Sequence, residues 1–180
     1  MSTFAERMIK AAKLDPAVYE EVEADSSSMG QAVGVVVLSS LAAGIGSIGY
    51  AGFWSGLIGG TIAALVAWII WAFLTWIIGT KLLPQEQTEA DMGQLLRTIG
   101  FSSSPGLLRV GGIIPGLGAL FVLAGNIWML VAMVVAVRQA LDYNSTWRAV
   151  AVCLIGWVVL VLVQLVLFQF MGPHTGPMPR

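Results

Sequence analysis

The sequence predicts an all-α membrane protein: a five-helix transmembrane bundle with short amphipathic N-terminal helices and a kinked or broken third span. Three observations predict it. First, 57 % of the 180 residues are apolar and only 11 % are charged, against about 25 % charged in soluble domains. So few charges cannot cover a water-facing surface. Second, the charges are clustered: residues 26–80, 110–137 and 149–179 carry none, and uncharged runs of that length are membrane spans. Third, a helical stripe in the middle of the chain is cut by a run of serines and a proline. The formal net charge of −1 leaves no electrostatic footprint for nucleic acid.

Residues 1–30 read as two amphipathic helices on the cytoplasmic side, not as a signal peptide, because an apolar core segment and a small-residue cleavage site are both missing. Over Phe4–Lys13 the expected apolar face is Phe4, Ala5, Met8, Ile9 and Ala12, with Glu6 and Lys10 spaced for an i,i+4 pair. Asp15 before Pro16 is an N-cap followed by proline at the first helical position. Val18, Tyr19 and Val22 then form a stripe, with Glu20, Glu21, Glu23 and Asp25 expected in water.

A hydrocarbon core of about 30 Å needs roughly 20 residues of helix. The transmembrane domain is expected over 31–171, with spans at about 31–49, 56–79, 91–114, 115–137 and 146–170. The first uncharged run holds two spans, broken near Tyr50–Ser55, where Tyr50, Phe53 and Trp54 suit an interfacial aromatic belt. Before the third span, Thr88 and Asp91 resemble a capping box. Met92, Leu95, Leu96 and Ile99 follow at helical spacing until Ser102-Ser103-Ser104-Pro105 interrupts them. The stretch from Thr88 to Ile114 is either one kinked crossing or a segment that dips in and returns. The positive-inside rule favours crossing: five spans place Arg7, Lys10, Lys13, Lys81, Arg97, Arg138 and Arg148 in the cytoplasm and leave only Arg180 outside. The N-terminus is then cytoplasmic and the C-terminus outside. Residues 172–180, rich in proline and glycine, read as a flexible tail.

Gly100-Phe101-Ser102-Ser103-Ser104-Pro105-Gly106, the later Ile127-Trp128, and Arg138-Gln139-Ala140-Leu141-Asp142 together resemble the Yip1 family. So do the loop Tyr143-Asn144-Ser145-Thr146 and the Arg148-Ala149 that follows. The resemblance covers roughly residues 1–170 and is closest to the short bacterial members, which implies a location in the cytoplasmic membrane of a bacterium. It implies five spans with a cytoplasmic N-terminus, matching the reading above. Eukaryotic members act in vesicle trafficking and bind prenylated Rab GTPases. This sequence lacks the longer cytoplasmic domain many of them carry, so the resemblance supplies a fold and a location and little chemistry.

Only Arg109 is ionisable inside a span and away from its cytoplasmic end, and an intramembrane charge costs about 2.5–3.5 kcal/mol even on the lenient insertion scale. With Ser104 and Asn126 it forms a candidate lipid- or anion-contact set; the plainer role is a side chain that reaches a headgroup or caps carbonyls freed at the break. Asn126 otherwise suits an interhelical hydrogen bond. Gly44, Gly46, Gly56, Gly60, Gly112 and Gly116 fall in small-residue pairs that let helices approach closely, and the first four predict tight packing of spans one and two. The lone Cys153 can form no internal disulfide. The lone histidine, His174, lies in the tail. Neither a nucleophile elbow, nor a phosphate loop, nor paired intramembrane aspartates are present. The expected function is a non-enzymatic scaffold, without cofactor or catalytic residues. Its partners are the lipid bilayer and either a cytoplasmic protein or a second copy. The alternative is a small transporter or channel subunit with an anionic ligand site near Arg109, because interrupted helices bind ions in transporters.

Overall fold

A computed structural model describes residues 2–47 and 55–171, with the side chains of 55, 56 and 167–171 outside the description. The expected break with its aromatic belt at Tyr50, Phe53 and Trp54, and the tail 172–180, lie outside the described residues. Seven α-helices and no strand occur among those described.

Helix α1 (Phe4–Ala12) opens on a capping box: the Thr3 hydroxyl accepts from the Glu6 N–H at 3.3 Å, and the Glu6 carboxylate accepts from the Thr3 N–H at 2.7 Å. It closes with Leu14 in the left-handed region (φ 63°), where the Leu14 and Asp15 N–H groups donate to Ala11 and Lys10 carbonyls at 3.0 and 3.1 Å. Asp15 then caps α2 (Pro16–Ala24) by accepting from the Ala17 N–H at 3.1 Å. The buried face of α1 is rotated from the expected one. Arg7, Met8 and Ala11 point inward, while Ile9 is 55 % exposed. The cause is electrostatic: the Arg7 guanidinium turns in to meet Glu21 at 3.0 Å and Asp25 at 2.9 Å. Glu21 and Asp25 therefore face Arg7 as well as water. Lys10 bonds the Ser2 hydroxyl at 3.3 Å instead of Glu6.

A 3₁₀ turn at Ser26–Ser28 leads into α3 (Met29–Gly46). Helix α4 (Gly60–Ile77) is flanked by π-helical turns at Ser55–Gly59 and Ile78–Leu82. Helix α5 (Met92–Phe101) is followed by a 3₁₀ segment, Ser104–Ile113, and then by α6 (Gly118–Ala140) and α7 (Thr146–Met171). Four stretches among the described residues are long and apolar enough to cross a membrane: Ser26–Gly46, Leu57–Leu82, Gly118–Ala140 and Thr146–Val166. The capping box of α5 uses Asp91 with Gln94. Thr88 instead donates its hydroxyl to the Leu141 carbonyl at 3.0 Å.

Those loop contacts fix the topology. Asn144 N–H donates to Gln85 at 3.1 Å, and Tyr143 O–H donates to the Gly79 and Leu83 carbonyls at 3.1 and 2.8 Å. Gln139 donates to Glu20 at 2.7 Å. The C-terminal ends of α4 and α6 and the α1–α2 hairpin thus meet at one end of the bundle. From there α5 runs back along α4, with Trp76 and Trp68 indole N–H groups donating to the Ala90 and Leu96 carbonyls at 3.1 Å each. The 3₁₀ segment continues along α3 toward its C-terminal end, where Gly46 meets Gly112 and the Arg109 carbonyl. Most of the fully buried large side chains, Tyr19, Phe101, Leu95 and Leu141 among them, belong to this hairpin end.

Candidate functional site

Serines 102 and 103 end α5, and Pro105 cannot continue its hydrogen-bond ladder, so the chain tightens into the 3₁₀ segment that carries Arg109. Glycines make room for this side chain. A Cβ at Gly125 would stand 2.9 Å from the Arg109 Cγ, and one at Gly106 would stand 2.6 Å from the Met129 sulfur and overlap the Ser39 hydroxyl. Through that slot the guanidinium bends back along its own segment. Nε donates to the Gly106 carbonyl at 3.1 Å, and Nη2 donates to the Ser39 carbonyl at 2.9 Å and the Ser39 hydroxyl at 2.7 Å. Ser39 lies midway along α3 and Gly125 in the first third of α6. The charge therefore sits inside the bundle.

Arg109 lines a cleft of about 840 Å³ between α3, α4 and α6, with Leu160 of α7 at one side. Ser39, Ser40, Ser47, Ser102, Ser103 and Asn126 give it a polar strip; Val36, Ala64, Met129, Met133 and Leu130 are among its apolar walls. No carboxylate is among its described lining residues. The Trp71 indole N–H, in the same lining, is buried without a hydrogen-bond partner. Among the described residues, nothing accepts from Nη1 of Arg109 or from the exposed amide nitrogen of Asn126.

The remaining expected residues are dispersed. Ser104 is buried, donates to the Phe101 carbonyl at 2.7 Å, and lines a separate cavity of about 620 Å³ with Ala12, Phe121 and Trp128. Gly46 and Gly112 face each other, so the close approach that Gly46 permits is to the 3₁₀ segment, not to α4. Gly60 borders open space, and Gly44 is buried in α3. Gly116 takes φ 78° in the turn before α6. Gly56 falls where side-chain surroundings are outside the description. Spans one and two meet through the Ser40 hydroxyl, which donates to Thr61 at 3.1 Å. Sequence reasoning missed Trp71, which carries no local signal.

The opposite feature is the polar end. Arg97, buried in α5, donates Nε to the Val22 carbonyl at 2.9 Å and Nη2 to the Glu23 carbonyl, closing the C-terminus of α2. Asp25 is held below the ordinary carboxylate range by hydrogen bonds from Ser27 and Arg7. Glu23 is pushed up to about 7 by burial and by Asp142, with Arg97 opposing. The fully buried Tyr19 donates to the Ala11 carbonyl at 3.1 Å, joining the two N-terminal helices.

The family model of the Yip1 domain matches residues 16–168. Neither the comparison with curated proteins nor that with solved structures gives a match.

Proposed function

The chain belongs to the Yip1 family, and from that premise we propose that it is a non-enzymatic scaffold whose cytoplasmic end recruits a protein partner or a second copy. It is an integral membrane protein, with four helices apolar enough to span. In this reading it crosses the membrane five times, N-terminus in and C-terminus out, in a bacterial cytoplasmic membrane. The third crossing is the composite of α5 and the 3₁₀ segment. Ten residues of α-helix rise about 15 Å and ten of 3₁₀ about 20 Å, enough for a hydrocarbon core of about 30 Å. Clustering of basic residues at the hairpin end supports that end as cytoplasmic.

The observation that carries the recruiting role is the network of polar ties at that end. Residues 1–30, the 84–97 stretch and the 138–148 loop are tied to one another by Arg7, Arg97, Thr88 and Tyr143. A surface fixed in this way presents its exposed charges in one register, which favours specific docking. The test is gentle extraction of the tagged full chain, with a double variant Glu86→Lys/Glu89→Lys on exposed positions. A stoichiometric partner should be retained by the parent and lost from the variant while membrane insertion is unchanged. An identical partner profile for both proteins rejects the recruiting role.

A further inference from the structure

The Arg109 cleft has a composition that the recruiting role does not use. The one cation among its described lining residues, Arg109, is anchored on one side only: Nε and Nη2 are held by Gly106 and Ser39, while Nη1 has no acceptor among the described residues. Two more donors, the Trp71 indole N–H and the Asn126 amide, border the same space without a described acceptor. An isolated positive charge in an apolar bundle is costly unless an anion meets it, and a buried donor without an acceptor costs about 1–3 kcal/mol. The described lining offers no anion. Beyond the serine strip its described walls are mostly hydrocarbon, and its volume of about 840 Å³ lies within the range of about 300–1,000 Å³ typical of small-molecule sites.

We propose that this cleft binds one anionic amphiphile, an acid group on a single hydrocarbon chain, with the acid on Nη1 of Arg109 and the chain along Val36, Ala64, Leu130 and Met133. Charge complementarity selects the acid, since the described lining holds a cation and no carboxylate. The walls select the chain, because a bare inorganic anion would leave them uncovered. Entry is lateral: Ala67, Asn126 and Leu130 line the cleft and stand exposed on α4 and α6, so a chain reaches it from the acyl region of the bilayer. Ser39 acts as a positioning residue for the guanidinium. The site stands whether or not the cytoplasmic end recruits a partner.

The experiment is native mass spectrometry of the full chain in a non-ionic detergent, titrated separately with palmitate, 1-palmitoyl-lysophosphatidate, hexadecanol and inorganic phosphate. One palmitate or one lysophosphatidate should be retained per protein, and whichever binds tighter identifies the acid as carboxylate or phosphate. Arg109→Leu should bind it at least about tenfold more weakly, the loss of one charge-assisted hydrogen bond. Because Arg109→Leu also cuts the tie to Ser39, Ala64→Leu serves as a second variant. It fills the cleft, leaves every Arg109 bond in place, and should weaken binding comparably at unchanged thermal stability. Lys81→Gln, at an exposed position, should bind as the parent does. Retention of neither amphiphile overturns the proposal. So does equal retention of hexadecanol, competition by phosphate alone, or undiminished binding by both cleft variants.

Discussion

The hairpin end of the molecule and its membrane-embedded half are held together by different physics. At the hairpin end, charged side chains are spent on backbone and carboxylate: Arg7 on Glu21 and Asp25, Arg97 on the last carbonyls of α2. The buried residues concentrate there. In the other half α4, α6 and α7 expose large apolar side chains such as Ile62, Leu120 and Leu162, and a cleft separates α3, α4 and α6. In water a face of that kind would collapse onto its neighbour, but lipid tails are as apolar as leucine, so nothing drives it shut. Where the embedded half does close, it closes on glycine, at Gly46 against Gly112. The hairpin end is a solvent-built core; the rest is a lipid-built frame with room left in it.

The largest expected effect breaks the embedded half at the backbone contact of Gly46 with Arg109 and Gly112. Gly46→Val puts a Cβ onto the Arg109 carbonyl, where no flexible side chain can yield, and should cost about 3 kcal/mol or more, seen as lost monodispersity and a lower melting temperature. Next, Arg97→Met leaves two α2 carbonyls without their charged donor and should cost about 2 kcal/mol. Its specific sign is faster tryptic cleavage after Lys13 at a time when the spans remain protected. If cleavage is unchanged, the hairpin does not depend on α5 and the two halves are not held together by different physics. The pH response should also localise to the hairpin end. Glu23 titrates near 7 in the folded protein against an ordinary 4.5, so the folded state holds its proton more tightly. The associated stability is present below the lower value and is lost as pH rises toward 7. Melting temperature should therefore fall between about pH 5 and pH 7.5, and Glu23→Gln should flatten that slope. The smallest effect sharpens the comparison from the other side: Ser40→Ala removes an interhelical hydrogen bond and should cost only about 0.6 kcal/mol, near the limit of detection by thermal melting. The five-span reading has its own check. In a Cys153→Ser background, Leu117→Cys should react with an impermeant maleimide in intact cells, and Gln87→Cys only after permeabilisation.

What was legible in the sequence follows the same division. Apolar runs, the Asp15–Pro16 start of α2, and the Val18, Tyr19 and Val22 stripe depend on local chemistry, and the observed helices carry them. The rotation of α1 was not legible, because periodicity counts Arg7 as polar and cannot see Glu21 and Asp25 waiting for it. Nor was the start of α5: Thr88 has the right spacing for a cap but is claimed by the Leu141 carbonyl, 53 positions away. At the candidate site, Arg109 stood out because it is the one charge placed in a span away from its cytoplasmic end. Trp71 did not, since an orphaned indole N–H is a property of the packed bundle and leaves no trace in its neighbours along the chain. Small-residue spacing singled out Gly46 and Gly112 one by one, but that they lie against each other is a property of the packed bundle.

One contact has a consequence for the lipid itself. The Trp128 indole donates to the Ala12 carbonyl at 2.6 Å, which moors the end of α1 about 18 Å along α6 from its terminus at Ala140. Phe4, at the other end of α1, rests against Gly34 of α3. A helix bearing Glu6 and Lys10, with Lys13 just past its end, thus lies well below the top of the bundle, where those charges need water or headgroups. On that flank the apolar height left for acyl chains is reduced, whereas α7 offers 26 residues of helix on its own flank. A bilayer meeting unequal heights around one protein thins on the short side or tilts the protein to even them. The chain carries a built-in wedge.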